Sequence, residues 1–229
     1  MVRGVPDQAL QVVHAITDPN AGLDRRIIDA VADHRSAWAT RVADATMFVG
    51  TTPAVLGAVC LVGAVVVVVL RAYRMAIVVA VSLGLAMLSV GLLKPVFERP
   101  RPPSALAIAS ADGYSFPSTQ AAETSAIAAS LIVLLALGPG WGARLTEVLP
   151  RRAQVVTARV LVAAVGFVGL CMVYLGAHWP TDVVAGWILG TAIGVVVGWV
   201  GSRVAVGPDP VRSASSGRRG RAVGDPAGR

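Results

Sequence analysis

Three short stretches hold side chains that could do chemistry together. In GAHWPTDVVAGW, His178 precedes Asp182 by four residues. An imidazole steadied through one nitrogen by a carboxylate keeps its other nitrogen free to attack phosphorus. In LLKPVFERPRPPS, Lys94 is the only lysine among the 20 lysines and arginines, and a proline-stiffened run sets Arg99 and Arg101 just after it. A compact ammonium beside a planar guanidinium suits phosphate oxygens. In GYSFPSTQAAETS, Ser118 stands where an apolar run begins. Its hydroxyl and the free amides of a first helical turn would cradle an anion. The same stretch carries Gln120 and Glu123 into the first turns. Singly, these features fit loop-end cations anchored to lipid headgroups, an ordinary helix cap and a structural histidine. Jointly, they point to a phosphate.

The elements that must position them are membrane helices. The chain is 55% hydrophobic and 14% charged, with a mean hydropathy of +0.69. Windows of about 20 apolar residues, the length that crosses a hydrocarbon core, fall at 47–70, 75–93, 118–138, 155–177 and 183–206. A soluble protein with buried helices would show polar faces at helical period, and Val62–Leu70 has none. The expected architecture is an all-α bundle of about five spans. Ahead of it, residues 1–45 form an amphipathic interfacial region with Leu23, Ile27, Ala30, Val31, Trp38 and Val42 at helical spacing among charges. The membrane domain is expected over 46–206, and 207–229, rich in Gly, Pro, Ser and Arg, reads as a disordered basic tail.

The remaining signals restrict the function. The net charge of +7 is scattered over short loops and the tail, without the clustered basic and aromatic surface that nucleic acid requires. Cys60 and Cys171 fall inside spans as small apolar residues, and no His, Asp and Glu cluster has metal-ligand spacing. His14 and His34 have no partner at useful spacing and read as solvated surface. No removable signal peptide is expected at the amino terminus. Lysine and arginine counting leans towards a cytoplasmic tail, with loops 94–117 and 178–182 on the outer side.

With these residues in place, the chain resembles the type 2 phosphatidic acid phosphatase family, which shares its helical core with vanadium haloperoxidases. The family's first motif, K-x6-R-P, is matched by Lys94 through Arg101 and Pro102. Of the second, P-S-G-H, Pro117 and Ser118 match and Thr119 and Gln120 depart. Of the third, S-R-x5-H-x3-D, His178 and Asp182 match, while Cys171 and Met172 stand in place of Ser-Arg. The resemblance implies that His178 attacks phosphorus, that Asp182 orients it, and that Lys94, Arg101 and Ser118 hold the phosphoryl oxygens, with no cofactor.

The departures divide the expectations. Gln120 occupies the position of the family's general acid and has no proton to give at a useful pKa. Met172 removes a guanidinium from the phosphate clamp. As an enzyme, the protein would favour a lipid diphosphate, polyprenyl or other, whose leaving group is already a stable anion. Glu123, three residues after Gln120 and near the same helix face, is the candidate substitute acid. The alternative is an inactive member that binds a phosphorylated lipid or serves as a membrane partner subunit.

Overall fold

The computed structural model describes residues 22–70, 72–109, 111–137 and 150–203. Among them there are seven helices: α1 (Gly22–Asp33), α2 (Ala37–Thr51), α3 (Pro53–Leu70), α4 (Tyr73–Phe97), α5 (Thr119–Ala136), α6 (Arg151–Tyr174) and α7 (Pro180–Arg203). No strand occurs among the described residues. The expected tail 207–229 and His14 lie outside them.

Four helices, α4 to α7, are long and apolar enough to cross a membrane. They fall on the last four expected spans, with ends shifted by a few residues. The first, expected as one segment over 47–70, is divided: Met47 belongs to α2, which ends at Thr51, and α3 starts at Pro53. Proline tolerates a helix start because its missing N–H would be unpaired there. At 18 residues, α3 is about 27 Å long, close to the thickness of a hydrocarbon core. Many outward-facing side chains on these helices are apolar, among them Val65, Leu88, Val160 and Ile188. Lipid, unlike water, imposes no cost on that surface.

The bundle is built around α5, which makes its most extensive contact with α7. A stripe of Gly186, Gly190, Gly194 and Gly198 on α7 faces Ala121, Ala122, Ser125, Ala126 and Ser130 on α5. Without a hydrophobic drive between helices in lipid, such small residues let backbones approach and gain dispersion contact. At Gly190 the approach is closest, since a Cβ there would lie 2.0 Å from the Ala122 carbonyl oxygen. Serines within the spans satisfy themselves: Ser82 donates to the Val78 carbonyl at 2.8 Å and Ser125 to that of Ala121 at 2.6 Å.

The larger buried side chains collect at one end of the bundle, where Ile28, Ala43, Met172, Leu175, Trp179 and Val183 pack together. Of the expected amphipathic region 1–45, residues 1–21 lie outside the described residues, and the remainder falls in α1 and α2, which pack against this end. Their inward face is set differently from the expected stripe, with Asp24, Ile28 and Ala43 buried while Leu23 and Trp38 are exposed. A carboxylate on the buried face requires a partner, and the site provides it. Arg35 ties the region down further, donating to the carbonyls of Tyr174 at 3.0 Å and Leu106 at 2.7 Å.

The α5–α7 approach yields a direct expectation. Gly190→Leu should lower stability by at least about 3 kcal/mol through overpacking, read as a fall in thermal unfolding midpoint in detergent. Gly91→Ala on α4, where a Cβ meets nothing within 4 Å, should change stability by less than about 1 kcal/mol.

Candidate active site

The sequence of loop 98–118 brings its cations back over the bundle end. Glu98 caps α4 in the left-handed conformation, its N–H bonded to the Lys94 carbonyl, and so turns the chain sharply. The loop is stitched to itself where Ser115 N–H donates to the Arg99 carbonyl at 2.8 Å, and to the start of α7 where the Trp179 indole N–H donates to the Pro100 carbonyl at 2.8 Å. On the other side, Gly176 lets the chain leave α6. Its φ of +71° is left-handed, and a Cβ would lie 2.6 Å from the Leu106 carbonyl oxygen. These two turns set Arg99, Arg101 and His178 side by side.

His178 is buried. Its Nε2 lies 3.3 Å from Arg101 Nη1. A guanidinium has donors only, so Nε2 meets it with its lone pair and the ring proton is assigned to Nδ1. Nδ1 points to Asp182, 3.5 Å from Oδ2, longer than a hydrogen bond, and has no closer partner. Asp182 is fixed by two other donors: its Oδ2 accepts from the Trp179 N–H at 2.9 Å and its Oδ1 from Arg99 at 2.5 Å. Burial pushes the His178 pKa below its ordinary value. Asp182 opposes that shift, and Arg101 and Lys94 reinforce it. The resting imidazole is therefore neutral near pH 7, with an unprotonated Nε2.

The expected anion-holding groups lie about His178 and Asp182. Arg101 is held through its Nη1 by the Ala177 carbonyl at 2.7 Å and through its Nη2 by that of Asp112 at 3.0 Å. Lys94, on the last turn of α4, donates to the Tyr114 carbonyl at 2.6 Å and lies within electrostatic range of Arg101 and Asp182. Ser118 precedes α5 as its cap residue, yet its hydroxyl makes no capping bond and is buried without a partner. Its N–H donates to the Asp182 carbonyl at 3.0 Å, joining the starts of α5 and α7. A buried hydroxyl left unpaired is costly, and an arriving oxyanion would relieve it.

The departures occupy defined places. Met172 is 2% exposed and packs in the core with Ile28 and Trp179, so its position is filled by apolar packing. Gln120 and Glu123 are half-buried on the first turns of α5. Two turns into the same helix, an apolar cleft of about 320 Å³ opens between α5, α6 and α7, lined by residues including Ser125, Ala129, Gly166, Trp187 and Thr191.

Two functional positions escape sequence reasoning. Arg99, read as one more loop cation, is 1% exposed and bridges Asp182 to Asp24 of α1, at 2.6 Å from the latter. Asp24 in turn accepts from the Thr181 N–H at 3.0 Å and from the Thr181 hydroxyl, capping α7. No short-range spacing links residues 24, 99 and 182. The available signal was an acid on the otherwise apolar face that contains Ile28.

A model of the PAP2 superfamily matches residues 75–204. Among curated proteins nothing matches. Among solved structures, the chain is similar to the first transmembrane PAP2 type phosphatidylglycerolphosphate phosphatase from Bacillus subtilis, with 22% identity and a TM-score of 0.70 over 85% of this chain and 92% of that one. At that identity the likeness concerns the fold.

The buried bridge has a measurable consequence. Arg99→Met leaves two buried carboxylates without their cation and should cost about 3–5 kcal/mol, read by thermal unfolding. Arg101→Met, which removes a half-exposed cation bonded to carbonyls, should cost clearly less.

Proposed function

The chain belongs to the PAP2 superfamily, and on that premise we propose that it is a membrane lipid-phosphate phosphatase using His178 as nucleophile, with a preference for lipid diphosphates. The observation that carries this reading is the orientation of the imidazole: Nε2 bears a lone pair beside Arg101, and Nδ1–H faces Asp182, whose carbonyl is bonded to the N–H of Ser118.

In the proposed reaction the terminal phosphoryl group enters between Lys94, Arg101 and Ser118. Arg101 exchanges its contact with Nε2 for a phosphate oxygen. The Nε2 lone pair forms a bond to the terminal phosphorus as the bond to the bridging oxygen breaks, and the lipid monophosphate departs with that electron pair. The imidazole keeps its Nδ1 proton and becomes cationic, and Asp182 stabilises that charge; the 3.5 Å separation shortens as the charge develops. Water then attacks the phosphohistidine, releasing inorganic phosphate and the neutral histidine.

The substrate preference follows from Gln120. An alkoxide leaving group requires a proton, and the amide has none to give. A phosphate leaving group is stable as an anion, so the loss of general-acid help, worth ~10²–10⁴ in rate, weighs mainly on monophosphates. Glu123 on the same helix is the proposed substitute donor, one turn deeper. The apolar cleft beneath α5 offers a place for the lipid chain, in keeping with pockets that are mostly apolar with few polar groups. Positive-inside counting assigns the site end to the extracytoplasmic side.

Phosphate release by the purified protein tests the reading. Wild type should cleave lipid diphosphates at least tenfold faster than monophosphates, and His178→Ala should abolish both. Equal rates on the two substrates would overturn the leaving-group argument. No release from either, alongside binding of phosphorylated lipid, would establish the binding-only alternative. Gln120→His should raise the monophosphate rate by ~10² or more.

The pH dependence is a separate check. Because burial lowers the His178 pKa, protonation silences Nε2 only below the ordinary histidine value of about 6.5. The acid limb of kcat/KM should therefore fall below pH 6.5, and no basic limb from a second histidine should appear between pH 6.5 and 8. A basic limb in that range that persists in Glu123→Gln would reveal an acid that this assignment lacks.

A further inference from the structure

The four charged or titratable groups Asp24, Arg99, Asp182 and His178 are each buried and form one continuous line from α1 to the nucleophilic ring. Arg101 stands at the Nε2 side of the ring, away from Asp182, and Lys94 lies within electrostatic range of it. α5 contributes Ser118 to this surround and α6 contributes Met172, neither of them charged.

We propose that Asp24 is a positioning residue for His178, acting through Arg99: it anchors the guanidinium so that Asp182 presents one oxygen to Arg99 and keeps the other for the imidazole. The inference rests on the reading of His178 as nucleophile.

The geometry assigns each oxygen a task. Asp182 Oδ1 is taken by Arg99 at 2.5 Å, which leaves Oδ2 to the Trp179 N–H and the ring. Arg99 reaches Asp182 through Nη1 and Asp24 through Nη2. With both ends of the fork engaged, the guanidinium plane has one orientation. Asp24 is itself fixed to the start of α7 by Thr181, one residue before Asp182. Its carboxylate also offsets the positive charge that Arg99 places beside Asp182. Without Asp24, that charge would act undiminished on Asp182 and on the ring, in the same direction as Lys94 and Arg101. A helix cap alone would need Asp24 near Thr181 and would not need Arg99.

Asp24→Asn tests this, because an amide oxygen can still accept from the Thr181 N–H and so keeps the cap while removing the charge. The readout is the imidazole resonance of His178 titrated by NMR in detergent, assigned by comparison with His178→Gln among the three histidines. Asp24→Asn should lower the His178 pKa by about one unit, and kcat should fall about tenfold with KM changed less than about twofold. Asp24→Glu should retain most of the wild-type titration, and adding Arg99→Gln to Asp24→Asn should reverse the downward shift. A His178 titration unchanged in Asp24→Asn, or equally low in the double variant, would overturn the proposal. Should Asp24→Asn fail to fold, Arg99→Gln is compared with Arg99→Gln/Asp24→Asn: a titration moved as far by Asp24→Asn without Arg99 as expected with it would overturn it, and a nearly unchanged one supports it. The titration needs no turnover, so an inactive wild type would contradict the functional reading while leaving this result interpretable.

Discussion

Most of this site depends on one buried guanidinium. Arg99 lies between Asp24 and Asp182 with almost no solvent exposure, in a protein whose outer surface faces lipid. Removing the guanidinium leaves two buried carboxylates uncompensated, and desolvated charges are tolerated only as paired sets. A network of that kind adds little net stability compared with an apolar core, but it specifies geometry. Here it joins three distant parts of the chain: the first described helix, the loop after α4 and the start of α7. The orientation of Asp182, and through it that of the His178 ring, follows from that union.

The membrane helices provide the frame that makes the union possible. Small residues on α5 and α7 let the two backbones approach closely, which brings their amino ends together. Ser118 and Asp182, the two residues at those ends, are then linked through the backbone. An anion arriving there meets the positive ends of two helices as well as Lys94 and Arg101. The same convergence explains why a chain with few charged residues concentrates its buried ones at one end of the bundle.

Much of this was legible in the sequence. The apolar windows announce the spans because lipid requires long uninterrupted runs, and the spacings Lys94 to Arg101 and His178 to Asp182 survive as neighbours in space. What was not legible depends on tertiary packing. The break between α2 and α3 at Thr52 is hidden inside a continuous apolar window. The inward face of α1 is set by Asp24, and a reader of hydrophobic periodicity places that acid outside. Arg99 resembles Arg101 in sequence, two residues away in the same loop, yet one is sealed between carboxylates and the other lies half-exposed against His178. Only the fold separates a cation buried between carboxylates from one left beside the His178 ring.

As the proposed nucleophile held by this network, His178 would become the covalent carrier of the phosphoryl group. The direct measurement is a rapid quench of the protein with a lipid diphosphate labelled in its terminal phosphate, followed by peptide mapping. The account predicts an acid-labile, base-stable phosphoenzyme on the peptide containing His178, forming and decaying at rates compatible with phosphate release. Phosphate released at full rate with no label on His178, or label carried by another residue, would contradict it.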